Sequence, residues 1–272
     1  MNKSGNSQAA GSPVGLPVDP QLRPLNARSI VLSVLLGSHP PELPARALVA
    51  LSGLFGIPGG TMRTALSRLV RDGDAVAVDG HYRLAGRLLD RQRAQDVGRR
   101  SPSSEWDGRW HSIVAAPDQR DQAVRRQFRS AMANHRFGEL RPDIWMRPSN
   151  QPLPPVQPDW IATTGPVAGI APDRLVARLW DLHAIAADAR RLLDALHTTT
   201  TAADWSDPQS IPLVFTLSAA VVRFLRNDPL LPSALQVVRW PVDELRSAYD
   251  EFELEHQRLL QTFLRRSRPD SD

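Results

Sequence analysis

Apolar residues recur at helical spacing in three short segments near the start of the chain. The first, 27–36, is followed by a glycine and two prolines, and the second, 44–54, begins at a proline and stops before Gly56. The third, 59–72, follows a Gly-Ile-Pro bend. Because apolar residues three and four positions apart share one face of a helix, the pattern predicts three amphipathic helices.

The third predicted helix separates apolar from basic residues. Met62, Leu66, Leu69 and Val70 fall in one sector when each residue advances by about 100°, so this side is predicted to face the core. The opposite arc carries three guanidinium groups and two hydroxyls, on Arg63, Thr64, Ser67, Arg68 and Arg71. Such a face is suited to a polar, anionic partner.

The segment after this helix predicts a β-hairpin. Two short stretches of β-forming residues within 75–84 meet at Asp79-Gly80. This dipeptide supplies the positive φ angles that a tight hairpin turn requires. Three helices followed by a hairpin predict a winged helix-turn-helix.

After this hairpin, strand-like and helical stretches alternate, and the last third of the chain is helical. Strand-like stretches surround one helical stretch and predict a small α+β sheet domain, with strands at 109–117, 141–148 and 159–170 and the helix at 121–135. The last third predicts helices at 172–196, 211–226 and 241–265. The predicted organisation is a flexible tail at 1–24, a winged helix-turn-helix with a linking helix at 25–100, a sheet domain at 101–170 and a helical domain at 171–272.

Charge is distributed unevenly along the 272 residues. The net charge is +4, but residues 1–100 hold 13 Lys+Arg against 7 Asp+Glu, which gives +6 there and −2 in the rest. A basic N-terminal third favours a polyanion such as nucleic acid as partner. Because all but one of the 33 basic residues are arginine, a compositional bias of the genome is the alternative explanation.

Composition also restricts the classes of protein. The chain has no cysteine, which excludes disulfides, thiolate nucleophiles and cysteine-based zinc sites and fits a cytoplasmic protein. No run reaches the roughly 18 apolar residues of a membrane span, so no membrane association is expected. The motifs of nucleotide-binding loops and of serine hydrolases are missing, so we expect neither a cofactor nor an enzyme.

A metal-dependent nuclease is the alternative function. Asp107 and Asp118 flank the first strand-like stretch of the sheet domain, and carboxylates at the end of a strand can hold a divalent cation. Aspartates more often cap helices and turns, and Asp118 stands where the predicted helix begins. The seven histidines show no spacing typical of metal ligands, so no metal site is predicted.

Five segments in this order resemble the PaaX family of bacterial transcriptional repressors, which is named for the control of phenylacetate catabolism. They are RTALSRLVRDG (63–73), WDGRWHSIV (106–114), FGELRPDIWMRP (137–148), LVARLWDL (175–182) and FLRNDPLLP (224–232). The resemblance, which extends over about 27–265, implies an α+β protein with an N-terminal winged helix-turn-helix, a central ferredoxin-like sheet domain and a C-terminal helical domain. It also implies a homodimer that leaves double-stranded operator DNA when an aryl-acetyl coenzyme A thioester binds.

The basic helix face supplies the predicted DNA contacts. Arg63, Thr64, Ser67 and Arg68 are candidates for base and backbone contacts in the major groove, where arginine can donate two hydrogen bonds to guanine. Arg71 lies nearer the end of the helix and is expected to meet phosphate. The amides that open the helix, up to Thr61, would favour another phosphate. On the wing, the candidate residues are His81 and Arg83.

The sequence also provides candidate residues for an effector-binding site. Arg109, Arg147 and Arg178 are candidates to bind coenzyme A phosphates, beside Trp145 and Trp180. The alternative is that the tryptophans pack between domains. On the last predicted helix, four apolar residues fit either a dimer seam or a core, and the sequence leaves both open for Leu245, Phe252, Leu259 and Phe263.

Overall fold

The computed structural model describes residues 25–266 except 39, 87, 90–91, 93–104, 116–121, 159 and 237–238. The predicted tail, most of the predicted linking helix at 86–100, and Asp118 lie outside the described residues.

The N-terminal part of the structure is the predicted winged helix-turn-helix. It comprises α1 (Ala27–Gly37), β1 (Glu42–Pro44), α2 (Ala45–Leu54), α3 (Gly59–Arg71), β2 (Ala75–Val78) and β3 (His81–Leu84). The three strands form an antiparallel sheet in the order β1-β3-β2. The hairpin turn uses positive φ angles of 48° at Asp79 and 74° at Gly80, as the sequence predicted.

The winged helix shares its core with the C-terminal region. Ile30, Val34 and Leu35 on α1 are at most 2% exposed, and they belong to one apolar cluster with Leu48 of α2 and Leu66 of α3. Three residues from the far end of the chain complete this cluster, namely Ile211, Phe215 and Leu259. The burial that stabilises the winged helix therefore also attaches it to the C-terminal helices.

The central part is a four-stranded sheet of ferredoxin-like strand order. It comprises β4 (Arg109–Ala115), α4 (Gln122–Asn134), β5 (Gly138–Arg141), β6 (Ile144–Pro148) and β7 (Trp160–Pro166). The strands are antiparallel in the order β5-β6-β4-β7. The prediction of a single strand over 141–148 is wrong. A turn in which Asp143 has a φ of 67° divides this region into the hairpin β5-β6.

Both faces of the sheet are covered. On one face, Ile113 and Trp145 pack against Phe128 and Met132 of α4. On the other face, Trp110 and Met146 pack against the first helix of the C-terminal region. This alternation along β4 and β6 follows from the two-residue period of a strand, and it places neighbouring side chains in different cores.

The C-terminal part contains α5 (Pro172–Leu179), α6 (Leu182–Ala202), α7 (Ile211–Asn227) and α8 (Pro241–Arg266). The single helix predicted over 172–196 is wrong. Trp180 is extended, with φ −142° and ψ 144°, and the side chain of Asp181 accepts a hydrogen bond from the Ala184 amide to cap a new helix. That helix also continues to Ala202, beyond the predicted end at residue 196.

Apolar residues of two of these helices, α7 and α8, pack inward. Leu245, Phe252 and Leu259 of α8 are at most 3% exposed, so they form core in this chain. The segment Pro208–Asn227 is long and apolar enough in composition to cross a membrane. Its residues Val214 and Leu217 are fully buried among the other helices, which is typical of the core helix of a globular protein.

Candidate nucleic-acid interface

The turn between α2 and α3 sets the direction in which α3 leaves the domain. Gly56 adopts a φ of 66°, a conformation that glycine takes without strain. The buried hydroxyl of Ser52 lies 2.7 Å from the Val49 carbonyl oxygen and 3.2 Å from that of Ile57, while the Ser52 carbonyl accepts from the Ile57 amide at 3.0 Å. These bonds close the turn and fix the start of α3 at Gly59.

Helix α3 buries one side and leaves the other open. Met62, Leu66 and Leu69 are at most 1% exposed and hold the helix to the core. Val70, predicted to face the core, is 37% exposed, because it lies at the edge of the buried sector. The outer side chains are exposed, and they are those of the five predicted residues Arg63, Thr64, Ser67, Arg68 and Arg71.

The polar groups on this face are available for a partner. The hydroxyls of Thr64 and Ser67 each donate at 3.0 Å to the carbonyl four residues earlier, which leaves their oxygen lone pairs free to accept. Among the described residues, Arg63 and Arg68 have no carboxylate partner. Arg71 has Asp72 at 3.7 Å, a weak and solvent-exposed pair.

The N-terminus of α3 adds a second positively polarised element to this face. Pro58 precedes the helix, and no described side chain caps this end. The first helical hydrogen bond runs from the Met62 amide to the Pro58 carbonyl, so the amides of residues 59–61 point out of the helix end. A Cβ on Gly59 would lie 3.6 Å from a terminal nitrogen of Arg63. The guanidinium therefore lies over the first turn, where the helix dipole also favours a phosphate.

The two predicted wing residues differ in their environment. His81 is exposed, and its Nδ1 lies 3.1 Å from the carbonyl of Asp79. Arg83 is bound to Glu42 of β1, with its Nε 2.8 Å from the carboxylate. This carboxylate neutralises part of the charge of Arg83, which distinguishes Arg83 from Arg63 and Arg68.

Arg28 of α1 orients the end of α3, and the sequence pattern gave no sign of it. Its guanidinium contacts the carboxylates of Asp72 and Asp74, which lie on either side of Gly73 between α3 and the wing. Asp74 is 1% exposed, and its carbonyl accepts a hydrogen bond from Ala85 after the wing. Helical periodicity could not reveal this contact because the residues are more than 40 positions apart.

The predicted effector residues do not come together. Trp145 and Arg147 lie two residues apart on β6, and Trp145 packs toward α4. Trp180 packs in the core on the opposite face of the sheet, and Arg178 is exposed on α5. Arg109 is exposed on β4 and donates to the carbonyl of Thr164.

Arg147 is integrated into the sheet domain itself. It is 4% exposed and lies 4.8 Å from the ring centroid of Phe137, a cation–π distance. It donates to the carbonyls of His135 and Pro152 and to the side chain of Gln151. Burial, with Arg136 as a second cause, lowers the pKa of Arg147 to about 10. These bonds hold the loop after β6 in place.

Asp107, one of the two aspartates of the nuclease hypothesis, accepts hydrogen bonds that stabilise a turn. Asp107 is exposed, and its Oδ1 accepts from the Arg109 amide at 3.0 Å and from the Ser149 hydroxyl at 3.1 Å. The hydrogen bond from the Arg109 amide is the main cause that lowers the pKa of Asp107. Within the described part of the chain, no three histidine, aspartate or glutamate side chains are grouped to hold a metal ion.

These features define the class of the protein as a winged helix-turn-helix protein with fused sheet and helical domains. Two family models match the sequence, one described as PaaX-like protein over residues 26–88 and one as PaaX protein central Cas2-like domain over residues 103–152. The solved structure of the uncharacterized protein Rv0674 from Mycobacterium tuberculosis is 38% identical. The alignment covers 87% of this chain and 98% of that chain, with a TM-score of 0.67. A comparison with curated proteins gave no match.

The chain belongs to the PaaX family, as the five segments predicted. Members of this family are generally transcriptional regulators and are known as regulators rather than enzymes. The predicted fold, with its N-terminal winged helix, central ferredoxin-like sheet and C-terminal helices, is confirmed.

Proposed function

We propose that the protein is a sequence-specific transcriptional repressor that binds double-stranded operator DNA as a cytoplasmic homodimer. The observation that carries this proposal is the open basic face of α3, on which Arg63 and Arg68 are exposed without a carboxylate partner among the described residues. The rigid turn before α3 and the buried side of the helix present this face to solvent. A helix of this kind fits the major groove of B-DNA.

Each part of the interface has a chemical role in this proposal. Arg63 and Arg68 read guanine O6 and N7, while Thr64 and Ser67 accept hydrogen bonds from bases or bound water. The amides of residues 59–61 and the guanidinium of Arg71 bind phosphates. Two such helices, related by a twofold axis, would double the contact and select a palindromic site.

Release from DNA is proposed to follow from an effector of the acyl or aryl-acetyl coenzyme A type. Such an effector must bind the DNA-incompetent arrangement of the two winged helices more tightly than the competent one. The core shared by α1, α7 and α8 supports this coupling, because a shift of the C-terminal helices would move the winged helix with them.

The function is tested by selecting duplexes from a random pool with the purified protein. A repressor is expected to enrich a palindromic site, which should then give an intact shifted band in the presence of Mg²⁺. Addition of an aryl-acetyl coenzyme A thioester should dissociate that band. Failure to enrich any sequence would contradict the proposal, and cleavage of the duplex would favour a nuclease instead.

Replacing Arg68 with alanine is expected to weaken binding to the selected duplex by about 1–3 kcal/mol, with a smaller effect on random DNA. The reason is that the arginine can form its bidentate hydrogen bonds only where the guanine is present. Fluorescence anisotropy on both duplexes measures the difference. Arg174→Ala, which removes an exposed arginine on α5, is the matched control. An equal reduction in affinity for both duplexes would make Arg68 a phosphate ligand.

Replacing Arg71 with alanine is expected to weaken binding to both duplexes equally. It should also reduce the steepness of the dependence of log affinity on log salt concentration by about 1. The physical cause is that an arginine bound to a phosphate displaces about one condensed counterion, which the alanine variant leaves on the DNA. Titrations at several salt concentrations measure the slope. An unchanged slope would exclude Arg71 from the phosphate ligands.

A further inference from the structure

A cavity of about 180 Å³ lies between α1 of the winged helix and the C-terminal helices α7 and α8. Its apolar lining includes Leu32 and Leu36 of α1, Phe215 and Val222 of α7, and Leu260 of α8. A cavity of about 150 Å³ with an apolar lining is known to admit benzene. The space is therefore sufficient for a small organic molecule with about six carbon atoms.

The polar end of the cavity contains the buried carboxylate of Glu253. Its Oε2 accepts from the Tyr249 hydroxyl at 2.8 Å and from the Ser218 hydroxyl at 3.2 Å. Nδ1 of His256 lies 3.3 Å from the same oxygen, and Oε1 accepts from the Gln257 side chain at 3.2 Å. Because four groups of the protein already surround this carboxylate, it does not require a ligand.

His256 carries a polar atom that the surrounding protein leaves without a partner. The residue is 5% exposed and lines the cavity, and its Nε2 is buried without a hydrogen-bond partner among the described residues. Because Nδ1 faces a carboxylate oxygen, a neutral imidazole carries its hydrogen on Nδ1, and its Nε2 is then an acceptor. Buried polar atoms are rarely unpaired, so this acceptor points to a ligand that donates a hydrogen bond.

An acceptor at Nε2 distinguishes between the polar groups that a ligand can carry. A hydroxyl brings one donor, which the imidazole can accept, and the remainder of an alcohol suits the apolar lining. An ammonium would leave its charge and further N–H groups in an apolar space, and a carboxylate has no hydrogen to donate. Arg223 also lines the cavity, but it already interacts within the protein and is not assigned to the ligand.

We propose that this cavity binds a small uncharged alcohol or phenol, with its apolar body between α1 and α7 and its hydroxyl donating to Nε2 of the neutral His256 imidazole. Because the cavity is bounded by both the winged helix and the C-terminal helices, the bound alcohol favours one packing of these two parts and thereby alters DNA binding. That regulatory consequence rests on the proposed function, whereas binding of the alcohol does not.

Calorimetry with hexan-1-ol and its isomer methyl pentyl ether tests the site without DNA, at pH 8, above the range in which histidine usually takes up a proton. The two probes contain the same atoms, but only the alcohol has a donor. We expect the ether to bind at least about tenfold more weakly, because it leaves Nε2 unpaired. Hexylammonium and hexanoate should also bind more weakly than the alcohol. Equal binding of the isomers, an ion that binds as tightly as the alcohol, or no binding of the alcohol would overturn the proposal.

Two variants locate the bound alcohol. Ala219→Phe fills the cavity from α7 and should abolish hexan-1-ol binding, whereas Ala177→Phe on the exposed side of α5 should not. His256→Phe should lose the preference for the alcohol over the ether, because an aromatic ring remains but the acceptor is removed. A misfolded protein, which the melting temperature would reveal, should bind neither isomer. Unchanged binding by Ala219→Phe, or a retained preference in His256→Phe, would overturn the proposal.

The regulatory consequence is measured on the selected duplex. Saturating hexan-1-ol should change the affinity of the unsubstituted protein for this duplex and leave that of Ala219→Phe unchanged. Hexan-1-ol that binds without changing the affinity for DNA would overturn the coupling. A protein that binds hexan-1-ol but selects no DNA would contradict the proposed function and leave the cavity site standing.

Discussion

Replacing Arg246 with methionine is expected to lower the free energy of unfolding at pH 7 by about 3–5 kcal/mol. Arg246 on α8 is paired with Asp228, and both side chains are at most 3% exposed. Removal of the guanidinium leaves the carboxylate buried without its main countercharge, which costs more than the intact pair contributes. Chemical denaturation followed by circular dichroism measures the change.

The pH dependence of this loss in the free energy of unfolding distinguishes the effect of a buried charge from that of a packing defect. Burial raises the pKa of Asp228, while the guanidinium of Arg246 opposes that rise, so the variant raises the pKa further. A carboxyl with a raised pKa in the folded state destabilises the protein fully above that pKa and not at all below its unfolded pKa. The deficit of Arg246→Met should therefore shrink as the pH is lowered.

Two controls accompany this variant. Arg258→Met removes an exposed arginine from the same helix, where the pair with Glu255 is solvent-screened, and should change stability by less than about 1 kcal/mol. The double variant Asp228→Asn with Arg246→Met should recover part of the stability, because neither member of the buried pair then carries a charge. A deficit that is independent of pH would contradict the electrostatic explanation.

The ion pair of Asp228 with Arg246 lies at the junction between the sheet domain and the helical domain. Asp228 also accepts from the Leu230 amide at 3.1 Å, and the Leu230 carbonyl accepts from the Asn150 side chain at 2.8 Å, after β6. Leu231 and Leu235 then pack on the sheet beside Trp110. The segment FLRNDPLLP, which carried part of the family resemblance, is thus a joint between domains.

Replacing Gly138 with alanine is expected to lower the free energy of unfolding by about 1–3 kcal/mol. A Cβ at this position would lie 2.7 Å from Cβ and 2.9 Å from the carbonyl oxygen of Leu179, and 3.0 Å from the ring of Trp180. These distances are too short, and the first two atoms cannot move without a shift of α5. Thermal and chemical denaturation measure the destabilisation.

Gly165→Ala is the matched control, because a Cβ on that glycine of β7 would meet no atom within 4 Å. It should change stability by less than about 0.5 kcal/mol. Equal stability of both variants would show that α5 can withdraw from β5 without cost. Gly138 lies in the segment FGELRPDIWMRP, so a second family segment also serves the contact between domains.

The winged helix could be predicted because its determinants are local. The spacing of Met62, Leu66 and Leu69 fixes the buried side of α3, and the arginines between them are then exposed by the geometry of the helix. The hairpin turn at Asp79-Gly80 likewise depends on only two adjacent residues. These features depend on neighbours within a few positions, which periodicity and turn chemistry can detect.

The sequence by itself therefore determined the three N-terminal helices, the wing, the basic face and the family. Only the tertiary structure decided that Trp145 and Trp180 lie on opposite faces of the sheet, that Arg28 holds Asp74, and that His256 lines a cavity against α1. Each of these depends on segments distant along the chain, since side-chain periodicity specifies which face of an element is buried but not what covers it. The packing of α1 on α7 and α8, which joins the winged helix to the rest of the protein, is settled only when the whole chain is folded.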